Sequence, residues 1–223
     1  PVKKEKERRG LCFPGLRLIT VSEHSRYSML SLFPDCAACK AMPVFYSPLF
    51  ESVSGSDIDF APLPEGIREK DYFLIVSGNR WIKNPLRAAL AFDKLAGQGQ
   101  LTKKIVITGV THPEVYTKRL KHLENFIFLN YVDRSLLNSL HRSAYALFYP
   151  SLNEGFGYPP IESMKYGVPV AASGVSSIPE ICGDAALYFD PYNILEMSNR
   201  ILQLGDPSIY AQLQKKGMSR YAQ

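Results

Sequence analysis

The sequence predicts an α/β fold in which a parallel β-sheet is covered by helices on both faces. Six apolar runs of strand length follow one another: YFLIVS (72–77), KIVITG (104–109), NFIFLN (125–130), YALFYP (145–150), VPVAAS (168–173) and ALYFD (186–190). Segments with the apolar spacing of helices lie between them, at 85–95, 114–123 and 134–143. Continuous apolar runs are typical of strands buried on both faces. The alternation therefore predicts a doubly wound, Rossmann-like domain.

The first 70 residues do not follow this alternation. Residues 15–34 predict one strand and then a short helix capped by Ser22, with Glu23 and His24 in its first turn. Residues 43–48 predict a lone strand, and the segment 50–66 has the Ser, Asp, Pro and Gly content of a linker. Because so few elements cannot bury a core, we expect this portion to be the last piece of a neighbouring domain.

The composition is that of an ordinary globular protein. Of 223 residues, 46% are hydrophobic and 21% charged, and the net charge is +5. Residues 1–9 hold five basic and two acidic side chains, which is typical of a solvated helix face. Since no basic stripe interleaved with aromatic residues accompanies them, nucleic acid is not an expected partner.

Cysteine usage and hydropathy indicate a reducing compartment. The spacing of Cys36 and Cys39 suits redox chemistry or zinc, but zinc needs a second pair of ligands and none stands nearby. No apolar run approaches the roughly 18 residues of a membrane span. We therefore expect reduced thiols, no metal site and a cytoplasmic location, with peripheral contact at the inner face of the membrane left open. The first residue is Pro1 rather than Met, so we expect part of a longer protein.

The loop after the first strand, SGNRWIKNP (77–85), carries the signals of an anion site. Ser77 and Gly78 allow a tight turn near a ligand, Arg80 and Lys83 supply cations, and a helix begins at Asn84-Pro85, where its N-terminus favours anions. The sequence contains no G-x-G-x-x-G and no Walker lysine, so neither a dinucleotide fingerprint nor a P-loop is predicted.

The stretch NEGFGYPPIESM (153–164) places two glutamates beside a second helix start. Two prolines suit the first turn of a helix, so the backbone N–H groups of residues 155–158 are available to a phosphate. Glu154 and Glu162 can border the same pocket, and a carboxylate has two oxygens that match vicinal hydroxyl donors. A ligand with phosphate between two polyols uses all of these groups. That ligand is a nucleotide-diphosphate sugar.

These residues resemble retaining glycosyltransferases of family 4, which have the GT-B fold. The resemblance rests on the two glutamates with seven residues between them and on four stretches: ITVSEHSRYSMLSLFP, SGNRWIKN, the segment 128–173 and SSIPEICGDAALYFDP. It implies a remnant of the N-terminal acceptor domain at 1–49, a linker at 50–70 and the C-terminal, donor-binding domain at 71–223. It also implies transfer of a hexose, with mannose among the candidates, to a polysaccharide or lipid-linked acceptor, as in lipopolysaccharide synthesis.

The resemblance implies a role for each site residue. Glu162 is expected to hold the ribose, and the loop at Tyr131 and Val132 to face the base. Glu154, Arg80 and Lys83 are the expected catalytic residues, the two cations binding the diphosphate without a metal or another cofactor. The rest of the expected donor site consists of Gly78, Gly155, Phe156, Gly157 and Tyr158. The acceptor is expected to bind mainly to the N-terminal domain, so the chain by itself is expected to be incomplete for catalysis.

Some features depart from this family or carry other interpretations. The family commonly leaves more residues between its arginine and lysine than the two between Arg80 and Lys83. Asp57 and Asp59 have metal-site spacing but precede the first strand of the domain, and we interpret Ser177 to Glu180 as a capping box. Two alternatives remain open at this point: a sugar-nucleotide-binding module without catalysis, and a nucleotide-dependent oxidoreductase.

Overall fold

A computed structural model describes residues 15–46, 59–78 and 80–223 of the chain. Several predictions fall outside these ranges: the basic run at 1–9, Cys12, Asp57 and the first part of the predicted linker. Among the described residues, no helix is long and apolar enough to cross a membrane.

The core is one parallel sheet of six strands in the order β3-β2-β1-β4-β5-β6. The strands are β1 (Tyr72–Val76), β2 (Lys104–Thr108), β3 (Phe126–Phe128), β4 (Ala146–Tyr149), β5 (Val170–Ser173) and β6 (Ala186–Phe189). All five pairings between neighbours are parallel. The order reverses where β1 lies beside β4, and such a switch point opens a crevice at the carboxyl ends of the strands. The predicted doubly wound fold is confirmed.

Helices cover both faces of this sheet. These are α3 (Pro85–Gly97), α4 (Glu114–Thr117), α5 (Arg134–Ser143), α6 (Tyr158–Lys165), α7 (Ile178–Cys182), α8 (Ile194–Gln203) and α9 (Pro207–Tyr221). Two earlier helices, α1 (Glu23–Leu32) and α2 (Ala37–Lys40), precede the sheet and pack with each other. Along β1, Phe73 packs into the core on the α3 side, and Leu74 packs into the core that Leu140 of α5 and Met164 of α6 share. Successive side chains of a strand point to opposite faces, so a strand buried on both must be apolar throughout.

The structure corrects two predicted elements. The strands predicted within 15–34 and 43–48 reduce to a single parallel bridge between Thr20 and Val44 among the described residues. The helix predicted at 114–123 ends at Thr117, because the carboxylate of Asp93 captures the backbone N–H groups of Lys121 and His122 at 2.9 and 2.8 Å. Those two N–H groups are thereby removed from helical hydrogen bonding.

The helix predicted after Ser22 is confirmed, and it contacts the sheet domain. The Ser22 hydroxyl accepts the N–H of Ser25 at 3.1 Å, which is an N-cap. In the next helix, Cys36 acts as the N-cap, its sulfur accepting the N–H of Cys39 at 3.3 Å. Both cysteines are buried beside Phe33, so their spacing here serves packing and capping.

Candidate functional site

The loops that leave β1 and β4 meet at the switch point. After β1, the hydroxyl of Ser77 donates to the carbonyl of Thr108 at 2.6 Å and is buried, which ties this loop to the end of β2. Gly78 follows with a φ of 55°, a left-handed conformation that glycine adopts at no steric cost. After β4, the carbonyl of Ser151 accepts a hydrogen bond from the hydroxyl of Ser173 at 2.5 Å, which ties the second loop to β5.

A short 3-10 turn, Trp81–Lys83, is clamped between these loops. Asn84 ends it in a left-handed conformation, with a φ of 55°. The Asn84 amide donates to the carbonyls of Pro150 and Pro191 at 3.2 and 2.8 Å, and the N–H of Leu152 donates to the carbonyl of Ile82 at 2.8 Å. The backbone of this turn, with Lys83 at its end, is therefore held in place by the loops that follow β4 and β6.

Lys83 and Glu154 form the centre of the site. The ammonium of Lys83 lies 2.7 Å from Oε1 of Glu154, and both side chains are largely buried. The same oxygen accepts the hydroxyls of Tyr149 at 2.6 Å and Ser151 at 2.5 Å. Burial raises the pKa of Tyr149 far above its ordinary value, with the nearby Glu154 charge adding to the effect, so the phenol stays protonated and donates. The carboxylate is thus held by one cation and two hydroxyls.

Glu162 has a different environment. Its Oε1 lies 2.7 Å from Nη1 of Arg134, and its Oε2 lies 3.4 Å from Nε2 of His141. His141 is buried, and its Nδ1 lies 2.7 Å from the hydroxyl of Ser163. Burial lowers the pKa of His141 to about 4, against the opposing effect of the Glu162 charge, so the ring is neutral at pH 7. Within the described part of the chain, His141 Nε2 makes no hydrogen bond and faces Glu162 alone.

Between the two glutamates, α6 begins at a glycine. Gly157 is its N-cap with a φ of 102°, and Pro159 and Pro160 occupy the first turn, as the sequence predicts. Prolines there need no hydrogen-bond partner for the missing N–H. The start of α6 lies in the crevice beside the end of β4, since a Cβ on Gly157 would stand 3.8 Å from the Tyr149 ring.

Three consecutive carbonyl groups of the loop before α6, those of residues 154–156, accept from neighbouring serines. Ser22 donates to the carbonyl of Gly155 at 2.6 Å, and Ser177 donates to the carbonyls of Glu154 and Phe156 at 3.0 and 2.8 Å. In a trans peptide the N–H points opposite to the carbonyl of the preceding residue. The N–H groups that follow these carbonyls therefore point away from the serines.

The predicted capping box at Ser177 is wrong. Ser177 is the N-cap of α7 but makes no side-chain cap bond, because its hydroxyl is engaged with the glycine loop. Glu180 instead reaches α1, where its two oxygens accept the N–H groups of Glu23 and His24 at 2.7 and 3.1 Å. Both residues of the predicted capping box thus bind partners that are distant in the sequence, and the local spacing does not reveal such partners.

The remaining predicted residues lie around this centre. Val132 packs against the core, and Tyr131 beside it is 86% exposed. Arg80 does not join Lys83 at Glu154. Instead it lines a cavity of about 790 Å³ on the other side of the Trp81–Lys83 turn. The structure therefore separates the two predicted cations: Arg80 precedes the 3-10 turn in an extended backbone conformation, and Lys83 is the last residue of the turn and reaches Glu154.

Comparison with known proteins identifies the family. The model of the family described as "Glycosyl transferases group 1" matches residues 57–219, which is most of the chain. The chain belongs to the glycosyl transferases group 1 family. This membership favours glycosyl transfer over the alternative of a nucleotide-dependent oxidoreductase.

Two curated relatives in this family carry related names. One is "O-antigen chain mannosyltransferase B" from Escherichia coli, 46% identical over 76 residues, which are 34% of this chain and 20% of the relative. The other is "O-antigen chain mannosyltransferase RfbU" from Salmonella typhimurium, 30% identical over 128 residues, which are 56% of this chain and 36% of the relative. The chain thus spans between a fifth and about a third of these relatives.

Solved structures agree on the fold. Sucrose-phosphate synthase from Thermosynechococcus elongatus superposes with a TM-score of 0.71 at 20% identity, covering 99% of this chain and 57% of that one. TarM from S. aureus superposes with a TM-score of 0.70 at 19% identity, covering 92% of this chain and 40% of that one. The six-stranded sheet with its flanking helices is the Rossmann-like arrangement of GT-B glycosyltransferases.

Several residues of the site were not assigned to it from the sequence. Those that hold the two glutamates or the glycine loop are Tyr149, Ser151, Arg134, His141, Ser22 and Glu180. For Tyr149 and Ser151 a signal exists in retrospect, because both stand at the carboxyl end of a buried strand, where ligand sites form. For Arg134 and His141 only the helical spacing on α5 relates them, and it does not reveal that α6 faces them.

Proposed function

We propose that this chain forms the donor site of a retaining family 4 glycosyltransferase that takes a hexose from a nucleotide-diphosphate sugar. The observation that carries the proposal is the Lys83–Glu154 pair, held at the switch point of the sheet beside the glycine start of α6. Cation, carboxylate and helix N-terminus together provide complementary groups for a diphosphate that bears hydroxyl-rich groups on both sides.

In this proposal the diphosphate binds to Lys83 and to the N-terminus of α6. Negative charge grows on the diphosphate as the bond to the sugar breaks, and fixed positive groups stabilise that charge without reorganising. Arg80 approaches from the other side of the turn, and no divalent ion is required. When the diphosphate takes Lys83, Glu154 is left with its hydroxyl partners and can accept from the sugar.

Glu162 holds the ribose in this proposal. Arg134, its ion-pair partner, is half exposed and can turn toward solvent, whereas the buried His141 stays behind the carboxylate. The two oxygens of Glu162 then face two vicinal hydroxyls. Tyr131, exposed on the neighbouring loop, offers a ring for the base.

The names of the relatives support mannose as the sugar and a growing polysaccharide or lipid-linked glycan as the acceptor. Residues 1–49 then belong to an N-terminal acceptor domain, and residues 71–223 form the donor domain. Two contacts of α1 support this arrangement: Ser22 at its N-terminus donates to the glycine loop, and Glu180 of α7 accepts from the first turn of α1. In this proposal α1 lies beside the sugar pocket.

A thermal-shift panel tests the proposal and identifies the donor. Uridine, guanosine and adenosine diphosphates and their hexose conjugates are compared in the presence of a chelator. We expect one base to raise the melting temperature, with its mannose conjugate raising it further. A binding protein gains stability in proportion to RT ln(1 + [L]/Kd). If no nucleotide gives a shift, the proposed donor site is wrong.

A further inference from the structure

Apart from Arg80, the residues that line the cavity beside the Trp81–Lys83 turn have no role in the proposed donor site. Its volume of about 790 Å³ lies within the roughly 300–1,000 Å³ of small-molecule sites. The start of α3, the ends of β1 and β2, α4, the loop after β6 and Leu152 of the loop after β4 form its walls, so it lies mainly on the α3 side of the sheet. Glu162 and α6 lie on the opposite side, and Lys83 and Glu154 do not line it.

The charge of the cavity is positive. Of the residues that the structure describes, three arginines line it, Arg80, Arg87 and Arg119, against one carboxylate, Glu114. That carboxylate already faces His112, with 3.1 Å between Nδ1 and Oε1. Among the described residues, neither the Arg80 nor the Arg119 side chain has a hydrogen bond or an ion pair. A guanidinium presents several donors in a planar fork that matches phosphate and carboxylate oxygens.

Arg87 is already positioned for a ligand. Its Nη1 donates to the Asn84 side chain at 3.1 Å, and its guanidinium lies 5.1 Å from the centre of the Tyr192 ring. These contacts fix the direction of the side chain, so little rotamer entropy is lost when its other N–H groups bind an anion.

The cavity also offers aromatic surface. Trp81 at its mouth is 80% exposed and Tyr192 is 64% exposed. Both rings line the same cavity, so they form one aromatic surface rather than two isolated exposed side chains. Their faces suit the C–H faces of a sugar ring, which are apolar while the ring's hydroxyls point outward. Arginines and open rings together fit a ligand that has both an anionic group and a saccharide.

We propose that this cavity is a second site, separate from the donor site, that binds a phosphate-bearing saccharide. It rests on the proposed function only for the saccharide part of the ligand, since a growing glycan is the substrate that such an enzyme must hold. The anionic part rests on Arg87 and Arg119, since Arg80 is also proposed to approach the diphosphate of the donor. The phosphate can be that of a lipid-linked acceptor or of a free sugar phosphate, and both present the same chemistry to these residues.

Trp81 is the single tryptophan of the chain, so its fluorescence reports on this cavity. The protein is first saturated with the best-binding nucleoside diphosphate, and is then titrated with mannose 6-phosphate, mannose or inorganic phosphate. We expect a saturable change with mannose 6-phosphate, at least tenfold weaker binding of inorganic phosphate, and no change with mannose. A water-soluble lipid-linked saccharide diphosphate that binds more tightly than mannose 6-phosphate would assign the site to the acceptor; weaker binding would assign it to free sugar phosphates.

Variants separate this site from the donor site. Arg119→Ala and Arg87→Ala should each weaken the binding of mannose 6-phosphate at least tenfold. The matched control is Lys118→Ala, which removes a neighbouring exposed cation and should leave this binding unchanged. Thermal melts confirm that each variant is folded, and Arg119→Lys should recover part of the binding. The proposal is overturned if Arg119→Ala and Lys118→Ala bind mannose 6-phosphate with equal affinity, or if the wild type does not respond to mannose 6-phosphate. It is also overturned if Arg119→Ala weakens binding of the nucleoside diphosphate as much as binding of the sugar phosphate. Glu162→Gln, which should impair nucleotide binding, should leave this response intact, so failure of the donor site is distinguishable.

Discussion

Lys83 and Glu154, 71 residues apart in the sequence, form an ion pair of 2.7 Å with side chains only 14% and 13% exposed. One residue leaves the end of β1 and the other leaves the end of β4, so only the reversal of strand order brings them together. A buried pair of this kind costs desolvation energy that its attraction does not always recover. We infer that the pair is retained for ligand binding rather than for stability.

The first prediction concerns this pair. Lys83→Met should lower the free energy of unfolding by about 1–3 kcal/mol, because it leaves the Glu154 carboxylate buried without its cation. The double variant Lys83→Met/Glu154→Gln should be less destabilised than the sum of its single variants, since neither charge is then left alone. Urea unfolding measures all three. Additive losses would show that the two charges do not interact.

The second prediction divides the work of the two glutamates. Glu162→Gln should weaken the binding of a nucleoside diphosphate and of its sugar conjugate equally. The expected loss of affinity is roughly ten- to a hundredfold, because a charged hydrogen bond contributes about 1.5–3 kcal/mol. Glu154→Gln should weaken only the conjugate, and the diphosphate should bind at least as well because Lys83 loses its competing anion. Calorimetric titration of both variants measures this. Equal losses of both ligands in both variants would refute the division.

The third prediction is a pH dependence. The pKa of His141 is lowered to about 4 in the folded state against an ordinary value of 6.5, so the unfolded chain binds the extra proton first. His141 should therefore cost stability as the pH falls from about 6.5 to about 4, by about 3 kcal/mol in total. The groups that face it are Glu162, Arg134 and Ser163.

His141→Gln tests this dependence. Urea unfolding at several pH values should give a shallower loss of stability in the variant than in the wild type across that window, with the carboxylates of the protein as a common background. Parallel curves for the two proteins would show that His141 is not a buried neutral group. The same variant should also weaken nucleotide binding if His141 fixes the position of Glu162.

The fourth prediction concerns the attachment of α1. Glu180→Gln should destabilise the protein by about 1–2 kcal/mol, the usual effect of losing a charged acceptor at a helix N-terminus. The matched control is Asp184→Asn, which removes an exposed ion pair with Lys216 and should change stability by less than about 1 kcal/mol. Hydrogen exchange at Glu23 and His24 should rise only in the first variant. Equal exchange in both would contradict the contact.

The sequence predicts the strands, α3, α5 and the start of α6, because each is determined by local apolar spacing or by proline and glycine positions. It does not predict where side chains find partners across the sheet. Ser177 and Glu180 have the spacing of a capping box, yet the glycine loop and α1 provide better partners for both. Asp93 likewise ends α4 early from the far end of α3. Such contacts depend on which elements pack together, which local spacing does not encode.

The same limit applies to the candidate site. The two glutamates and Lys83 can be found from the sequence because the glycine loop and the following prolines mark a helix start beside them. Arg80 shows what spacing leaves undetermined: although only two residues stand between it and Lys83, it lines another cavity and does not contact Glu154. Its predicted role at the diphosphate stays a prediction, as do the predicted roles of the two glutamates, Lys83, Gly78, residues 155–158, Tyr131 and Val132.

The central claim is that Lys83, Glu154, Glu162 and the start of α6 bind a nucleotide-diphosphate sugar without a divalent ion. The most direct measurement is calorimetric titration of the protein with the best nucleoside diphosphate from the thermal-shift panel, in the presence of a chelator and again with added magnesium. We predict one equivalent bound with the same affinity in both conditions, and at least tenfold weaker binding by Lys83→Met. Binding that requires magnesium, or that Lys83→Met leaves unchanged, would contradict the account.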